Sequence, residues 1–415
     1  MGEVYLKGDR LGFRYDDSWQ TDSSAFPLSL SMPLVREHHE HRVVEAFLWG
    51  LLPDNGNVLE RWGRRFRVSA RNPFRLLQHV GEDCAGGVQF VRPDRVDPLL
   101  SGRGEPRIQW LTEEDLAVRI SDVVADASAT RRGEDGGQFS LAGAQPKLAL
   151  YRERGTGRWG VPEGRTPTTH ILKPANGAFD GQTENEHFCL RLAAELGFST
   201  ARSSVLACGN IPVIVVERYD RREKDGQVRR VHQEDFCQAC AVRPQSKYQN
   251  EGGPSPRMMG EVINSFSSSS GVDMERFAEA LIFHWLTGGT DAHAKNYSML
   301  LAAGSQARLA PLYDLATALP YPRQIPPRKA TMAMKIGSHY RIQEISRMDW
   351  EKLARELLLS PQVVLGKIME MAERLPTAAD SVALSMAENG IEHPVIRLIL
   401  EKLPVHIGKC LKGLK

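Results

Sequence analysis

The chain has 415 residues, of which 41% are hydrophobic and 25% charged, with a formal net charge of +2. That length exceeds the usual span of one hydrophobic core and calls for two or three packed subdomains. The near balance of charge gives no overall field that would select nucleic acid or a membrane surface. Six cysteines are too sparse for a disulfide scaffold, and no apolar run is long enough to span a bilayer. The expectation is a cytoplasmic protein without a membrane partner. The start, MGEVYLKGDR, lacks the apolar stretch of a secretory signal.

Residues 1 to about 35 alternate short apolar runs with turns and read as a small sheet. Val43 to Leu52 reads as a buried helix, stopped by Leu52-Pro53-Asp54-Asn55-Gly56-Asn57. Arg61, Arg64, Arg65, Arg67, Arg71 and Arg75 follow, with Trp62 and Phe66 among them. Such a cluster suits phosphate contacts, and equally a solvated helix face or a protein contact. Residues 92 to 138 read as a connector with one amphipathic stretch, Glu113 to Ala127. From Phe139 the pattern turns strand-like: FSLAG, KLALYRE, RWGV, THILKP. A helix is expected from Glu184 to Leu196, closed by Gly197, then strands at Ser204 to Ala207 and Val213 to Glu217. Beyond residue 230 the apolar spacing is helical, as in Phe277 to Leu286.

The strongest chemical signal is Thr290-Asp291-Ala292-His293-Ala294-Lys295-Asn296, after Gly288-Gly289. Asp291 and Asn296 have the Asp-x-x-x-x-Asn spacing of a protein-kinase catalytic loop. There the Asp takes the proton of the attacking hydroxyl, and the Asn turns back to hold Mg²⁺. Leu312-Tyr313-Asp314-Leu315 supplies a second metal-binding acid, and Mg²⁺ needs few protein ligands, so Asn296 with Asp314 suffices. Upstream, Lys173 ends the strand-like Thr169-His170-Ile171-Leu172 and suits the ATP phosphates as a point charge. Its counter-charge is expected from the next helix, from Glu186 in preference to Glu184.

No Walker-type phosphate loop occurs, and the literal G-x-G-x-x-G from Gly155 to Gly160 reads as a polar turn. A better phosphate loop is Ala142-Gly143-Ala144-Gln145-Pro146-Lys147, whose small residues let amides approach an anion. Backbone at Glu217, Arg218 and Tyr219 would meet the adenine edge. Cys237 and Cys240 form a lone C-x-x-C and read as two thiols on a helix rather than as a metal site. The fold expected is α+β and two-lobed like a protein kinase, with a sheet-containing N-terminal part, an all-helical C-terminal lobe and the nucleotide between. The corresponding boundaries are 1–130, 131–222 and 223–415.

The sequence resembles the HipA-type kinases, toxin halves of bacterial toxin–antitoxin pairs. PLSLSMPL, GLLPDNG, SLAGAQPKLAL, HILKP, ENEHFCLRLAAELG, VERYDR, QEDFCQ, KYQNEGGP, TDAHAKN and LAPLYDL carry the resemblance in order along nearly the whole chain. It implies a serine/threonine kinase using ATP and Mg²⁺. Asp291 would be the base, and His293, Lys295 and Asn296 the rest of its loop. Tyr313 and Asp314 would form the metal-side segment, Lys173 a phosphate ligand, and Ser140 an autophosphorylated serine. It also implies a helix-turn-helix antitoxin like HipB, DNA contact only through that partner, and a protein target such as an aminoacyl-tRNA synthetase. Two other classes stay open. Asp-x-His-x-x-Asn also resembles phosphoinositide kinases, which would make a lipid or small molecule the acceptor. A non-enzymatic DNA-binding co-repressor would use Arg61 to Arg75.

Overall fold

The computed structural model describes residues 1–101, 107–130 and 140–415. Part of the expected connector, and Phe139, lie outside the described residues.

The N-terminal subdomain opens with the antiparallel strands Gly2–Lys7 and Arg10–Tyr15, extended by His38–His39. Of three helices, His41–Gly50 packs on this sheet, Gly56–Phe66 packs on Pro73–Val80, and Pro73–Val80 packs on His41–Gly50. The second and third start at Asn55 and Asn72, whose side chains accept from the Asn57 and Arg75 amides. Phe13, Phe47, Leu48, Trp62, Leu76 and Leu77 form the core here. The basic run lies on the last two helices and the turn between them; Arg61 pairs with Asp126, and Arg64, Arg67 and Arg71 are exposed.

The middle of the molecule is a six-stranded antiparallel sheet. Its order is Ile108–Trp110, Trp159–Pro162, Leu148–Arg152, His170–Pro174, Ile211–Glu217, Ser203–Cys208. Helix Glu113–Ala125 packs on one face and helix Gln182–Glu195 on the other. The strand Ile211–Glu217 shows why: Val213 and Val215 join the core of the first helix, Ile214 and Val216 that of the second. Residues 108–125 therefore belong with this sheet and not with the N-terminal subdomain, where the expected boundary at 130 put them. The boundary at 222 falls inside the hairpin Arg221–Lys224 and Gln227–Arg230. Ser140 to Gly143, expected as a strand, is a loop anchored by one bridge between Pro53 and Gly143.

The C-terminal lobe is built on helices Pro256–Phe266, Ser270–Thr287, Arg347–Glu356, Pro361–Glu388 and Pro394–Lys412. It is not all helical. Strands His232–Asp235, Ser298–Ala302 and Gln306–Leu309 form a sheet, and Thr331–Ile336 pairs with His339–Arg341. These strands have three to six residues, too short for a period of two to stand out against the helical spacing around them. No described helix is long and apolar enough to cross a membrane.

A buried ionic network joins the N-terminal subdomain to the sheet. Asp83 meets Arg221 and Arg230 at 3.0 Å each and accepts from Thr168 Oγ1 at 2.6 Å. Arg218 and Arg221 also share Asp220. Burial disfavours the Asp83 charge, but the surrounding guanidiniums hold its carboxyl below the usual range.

Candidate active site

A cleft of about 350 Å³ lies between the sheet and the C-terminal lobe, and its lining includes Lys173, Asp291, Asn296 and Asp314. Lys173 stands opposite Ile214 in the sheet register, which puts it on the face covered by helix Gln182–Glu195. Its Nζ donates to Glu186 Oε1 at 2.7 Å and to Asp314 Oδ1 at 2.6 Å. Burial opposes a charged lysine here, but the two carboxylates outweigh it and raise its pKa. Glu186, 5% exposed, is pushed up by burial. Asp314 has a side chain 42% exposed. Burial raises its pKa too, but the Lys173 charge and hydrogen bond prevail and hold its carboxyl at about 2. Asp314 has φ +57°, a left-handed conformation that costs a residue with a Cβ some strain.

The catalytic-loop segment leaves helix Ser270–Thr287 through two glycines. Gly288 has φ +69°, and a Cβ on Gly289 would sit 2.4 Å from the His284 ring. Asp291 follows with its carboxylate 68% exposed toward the cleft. Asn296 Nδ2 donates to the Asp291 carbonyl at 2.8 Å, which turns the amide back over the loop. The His293 ring is buried edge-on against Tyr248, with centroids 5.0 Å apart, and burial lowers its pKa. Tyr313 fixes the far side: its hydroxyl donates to the Lys295 carbonyl at 2.7 Å and pairs with Ser298 Oγ at 2.6 Å.

The segment from Ala142 to Lys147 closes the cleft from the N-terminal side. Gly143 has φ +105°, and Lys147 Nζ donates to the Ala142 carbonyl at 2.9 Å. Burial and the nearby Lys173 charge depress the Lys147 amine to about 8. Ala144 and Gln145 line the cleft beside it, with Pro146 between Gln145 and Lys147 in the chain. Ser140 is fully buried; its hydroxyl donates to the Leu51 carbonyl at 2.8 Å and its amide to the Asp83 carbonyl at 3.1 Å.

Glu217, Arg218 and Tyr219 all line the cleft, but unequally. The Glu217 and Arg218 amides already donate to the Arg202 and Thr169 carbonyls. The Arg218 guanidinium belongs to the Asp83 network. Tyr219 faces Tyr313, with ring centroids 5.5 Å apart. Gly155 and Gly157 lie in the turn between strands Leu148–Arg152 and Trp159–Pro162, outside the cleft lining. Cys237 is buried on the short helix Phe236–Ala239, with Cys240 at its end.

Three residues that contact the catalytic-loop segment have no such reading in the sequence. Tyr248 donates its phenol to the Asp291 carboxylate. Asp54 accepts from Lys295 and Lys247. Tyr248 and Lys247 stand in KYQNEGGP and Asp54 in GLLPDNG. Nothing local in either stretch points to a loop far along the chain.

A sheet lobe carrying a lysine–glutamate pair, set over a loop with Asp and Asn five apart and a third acid, defines a kinase-like fold. The chain belongs to the HipA family: residues 1–91 match the HipA N-terminal domain and residues 139–379 the HipA-like C-terminal domain. It is 30% identical over 402 residues to the serine/threonine-protein kinase toxin HipA of Shewanella oneidensis, covering 91% of this chain and 85% of that protein. It is 36% identical over 374 residues to Y4mE of Sinorhizobium fredii, a protein with a provisional kinase designation, covering 90% and 86%. Among solved structures, Shewanella oneidensis HipA, in complex with HipB and operator DNA, superposes with TM-score 0.82 at 25% identity over 99% of this chain and 95% of that one.

Proposed function

We propose that the chain is a serine/threonine-protein kinase toxin that transfers the γ-phosphoryl of ATP to a protein hydroxyl. The observation that carries this is the meeting of Lys173, Glu186 and Asp314 at 2.6–2.7 Å in the cleft that also holds Asp291. In the reaction Asp291 accepts the proton of the Ser or Thr hydroxyl, whose oxygen bonds to the γ-phosphorus. The bond from that phosphorus to the β–γ bridging oxygen breaks, and ADP leaves with the electron pair. Lys173 and Lys147 provide cationic partners for the phosphates, and the Gly143 turn admits them close to backbone.

The donor set fits Mg²⁺. It offers Asp314 and the side-chain oxygen of Asn296, whose NH₂ is already committed to the Asp291 carbonyl, and Mg²⁺ takes few protein oxygens beside phosphate. When bound, the ion would neutralise charge on the phosphates. The strained φ of Asp314 and its Lys173 contact hold that carboxylate in place beforehand.

Kinship to a HipA solved with HipB and operator DNA supports a HipB-like helix-turn-helix antitoxin as partner, with DNA reached through it. The protein target, for which the family resemblance suggests an aminoacyl-tRNA synthetase, stands as part of this proposal. So does autophosphorylation at Ser140. The six cysteines are all free, which suits action in the cytoplasm.

The test is incubation of the purified chain with γ-labelled ATP, Mg²⁺ and a cell extract. Label is expected on Ser or Thr of protein. Label confined to lipid or small metabolites would overturn the protein-kinase reading.

A further inference from the structure

Asp54 lies between helices His41–Gly50 and Gly56–Phe66, in the N-terminal subdomain. Its amide donates to the Gly143 carbonyl at 3.2 Å, beside the Pro53–Gly143 bridge. Its carboxylate reaches the catalytic loop. One oxygen accepts from Lys295 at 2.6 Å and the other from Lys247 at 3.2 Å. The Asp54 side chain is 10% exposed and that of Lys295 only 4%. The two lysines bracket the catalytic machinery. Lys295 directly precedes Asn296. The Lys247 carbonyl accepts from the Ala294 amide at 3.4 Å, and its neighbour Tyr248 donates to Asp291.

We propose that Asp54 is a positioning residue for phosphoryl transfer, by which the N-terminal subdomain fixes both the phosphate-side loop at Gly143 and the catalytic loop at Lys295. This rests on the kinase reading above. The physical reason lies in the alternatives open to the two ammonium groups. A lysine as buried as Lys295 must find a carboxylate. Other acids within reach of its field or of the cleft include Asp235, Asp291 and Asp314. A lysine drawn onto Asp291 would occupy the oxygen that has to accept the hydroxyl proton. A second lysine drawn onto Asp314, beside Lys173, would compete with metal for its remaining oxygen. Asp54 uses one oxygen for each lysine, so neither is added to the Lys173 contact on Asp314 or the Tyr248 contact on Asp291. The Lys147 ammonium is the other cation facing it. Burial disfavours charge on Asp54, but Lys295 and then Lys247 hold its carboxyl below the usual value.

The test uses the full chain with Asp54→Asn, which keeps size and removes charge. Displacement of a loop by about 1 Å costs on the order of 100-fold in rate, and that is the fall expected in the single-turnover transfer rate at saturating MgATP. The KM for ATP should change little by comparison, and Asp54→Glu should recover part of the rate. A second readout is the pH dependence of acetylation of individual lysines by acetic anhydride, followed by peptide mass spectrometry. Lys295 should become reactive at lower pH in Asp54→Asn, while Lys173, held by Glu186 and Asp314, should not move. A wild-type rate in Asp54→Asn, or an equal shift at Lys295 and Lys173, would overturn the proposal. If that variant does not fold, the pair Asp54→Leu with Lys295→Met removes both buried charges together, and a wild-type rate there overturns it equally. The lysine titration needs no catalysis. A wild-type chain that shows the Asp54-dependent shift yet transfers no phosphoryl would therefore count against the kinase reading and not against the Asp54 contacts.

Discussion

Lys173 Nζ and Asp314 Oδ1 lie 2.6 Å apart although 141 residues separate them in the chain. The contact joins the sheet to the segment after the catalytic loop, with Glu186 as the third member. Removing the cation leaves two carboxylates facing each other, one of them buried. Breaking a buried pair in this way costs about 3–5 kcal/mol. Lys173→Met is expected at the lower end of that range, because Asp314 is partly solvated, and is expected to lose phosphotransfer. Denaturant unfolding measures the first. Adding Glu186→Gln should restore stability without restoring activity.

Glu234, within the cleft lining, gives a pH signature of its own. It is 1% exposed and accepts from Ser29 Oγ at 2.5 Å and the Leu30 amide at 2.6 Å. Burial outweighs those bonds and, with Asp235 beside it, pushes the carboxyl from 4.5 up to about 8. The folded form thus keeps a proton that the unfolded chain releases. The stabilisation is complete below the unfolded value and is lost as pH rises from 4.5 to about 8. Denaturation midpoints at the two ends of that window should differ in the wild type, and less so in Glu234→Gln, which is neutral throughout.

Ser140 is fully buried against the Leu51 carbonyl. A phosphate there carries about −1.5 to −2 charge and has no room between the N-terminal subdomain and the sheet. Prolonged incubation with MgATP is expected to add one phosphoryl group at Ser140, release the Ala142–Lys147 segment and lower activity. Peptide mass spectrometry locates the modification, and an unmodified Ser140 in enzyme that is still active would remove it from the scheme.

Asp83 is the shared counter-ion of Arg221 and Arg230, with Arg218 at 3.7 Å. Asp83→Ala leaves buried guanidinium groups without it and is expected to destabilise by about 3–5 kcal/mol. An equilibrium denaturation curve within about 0.5 kcal/mol of wild type, the range of an ordinary surface change, would show that the network does not hold the subdomains together.

The legible parts of the molecule were those written locally. Asp291 and Asn296 stand on one loop, so their spacing alone marks it. Lys173 and Glu186 stand on a strand and the helix that follows, and the strand's two-residue period decides which face the lysine takes. Asp54 was opaque because its meaning is set by Lys295, 241 residues away. The strand Ser298–Ala302 was opaque because it has five residues inside a helical half, and its partner on one side, His232–Asp235, comes from far upstream. Arg218 lines the cleft beside Glu217, but only the fold shows its guanidinium turned into the Asp83 network.

The most direct measurement is the single-turnover rate of γ-phosphoryl transfer to protein by Asp291→Gln against wild type at saturating MgATP. Asp291 is largely exposed, so the substitution should leave the fold intact. Loss of a positioned general base predicts a fall of about 10²–10⁴-fold. Transfer at the wild-type rate would contradict the assignment of this cleft as a kinase active site.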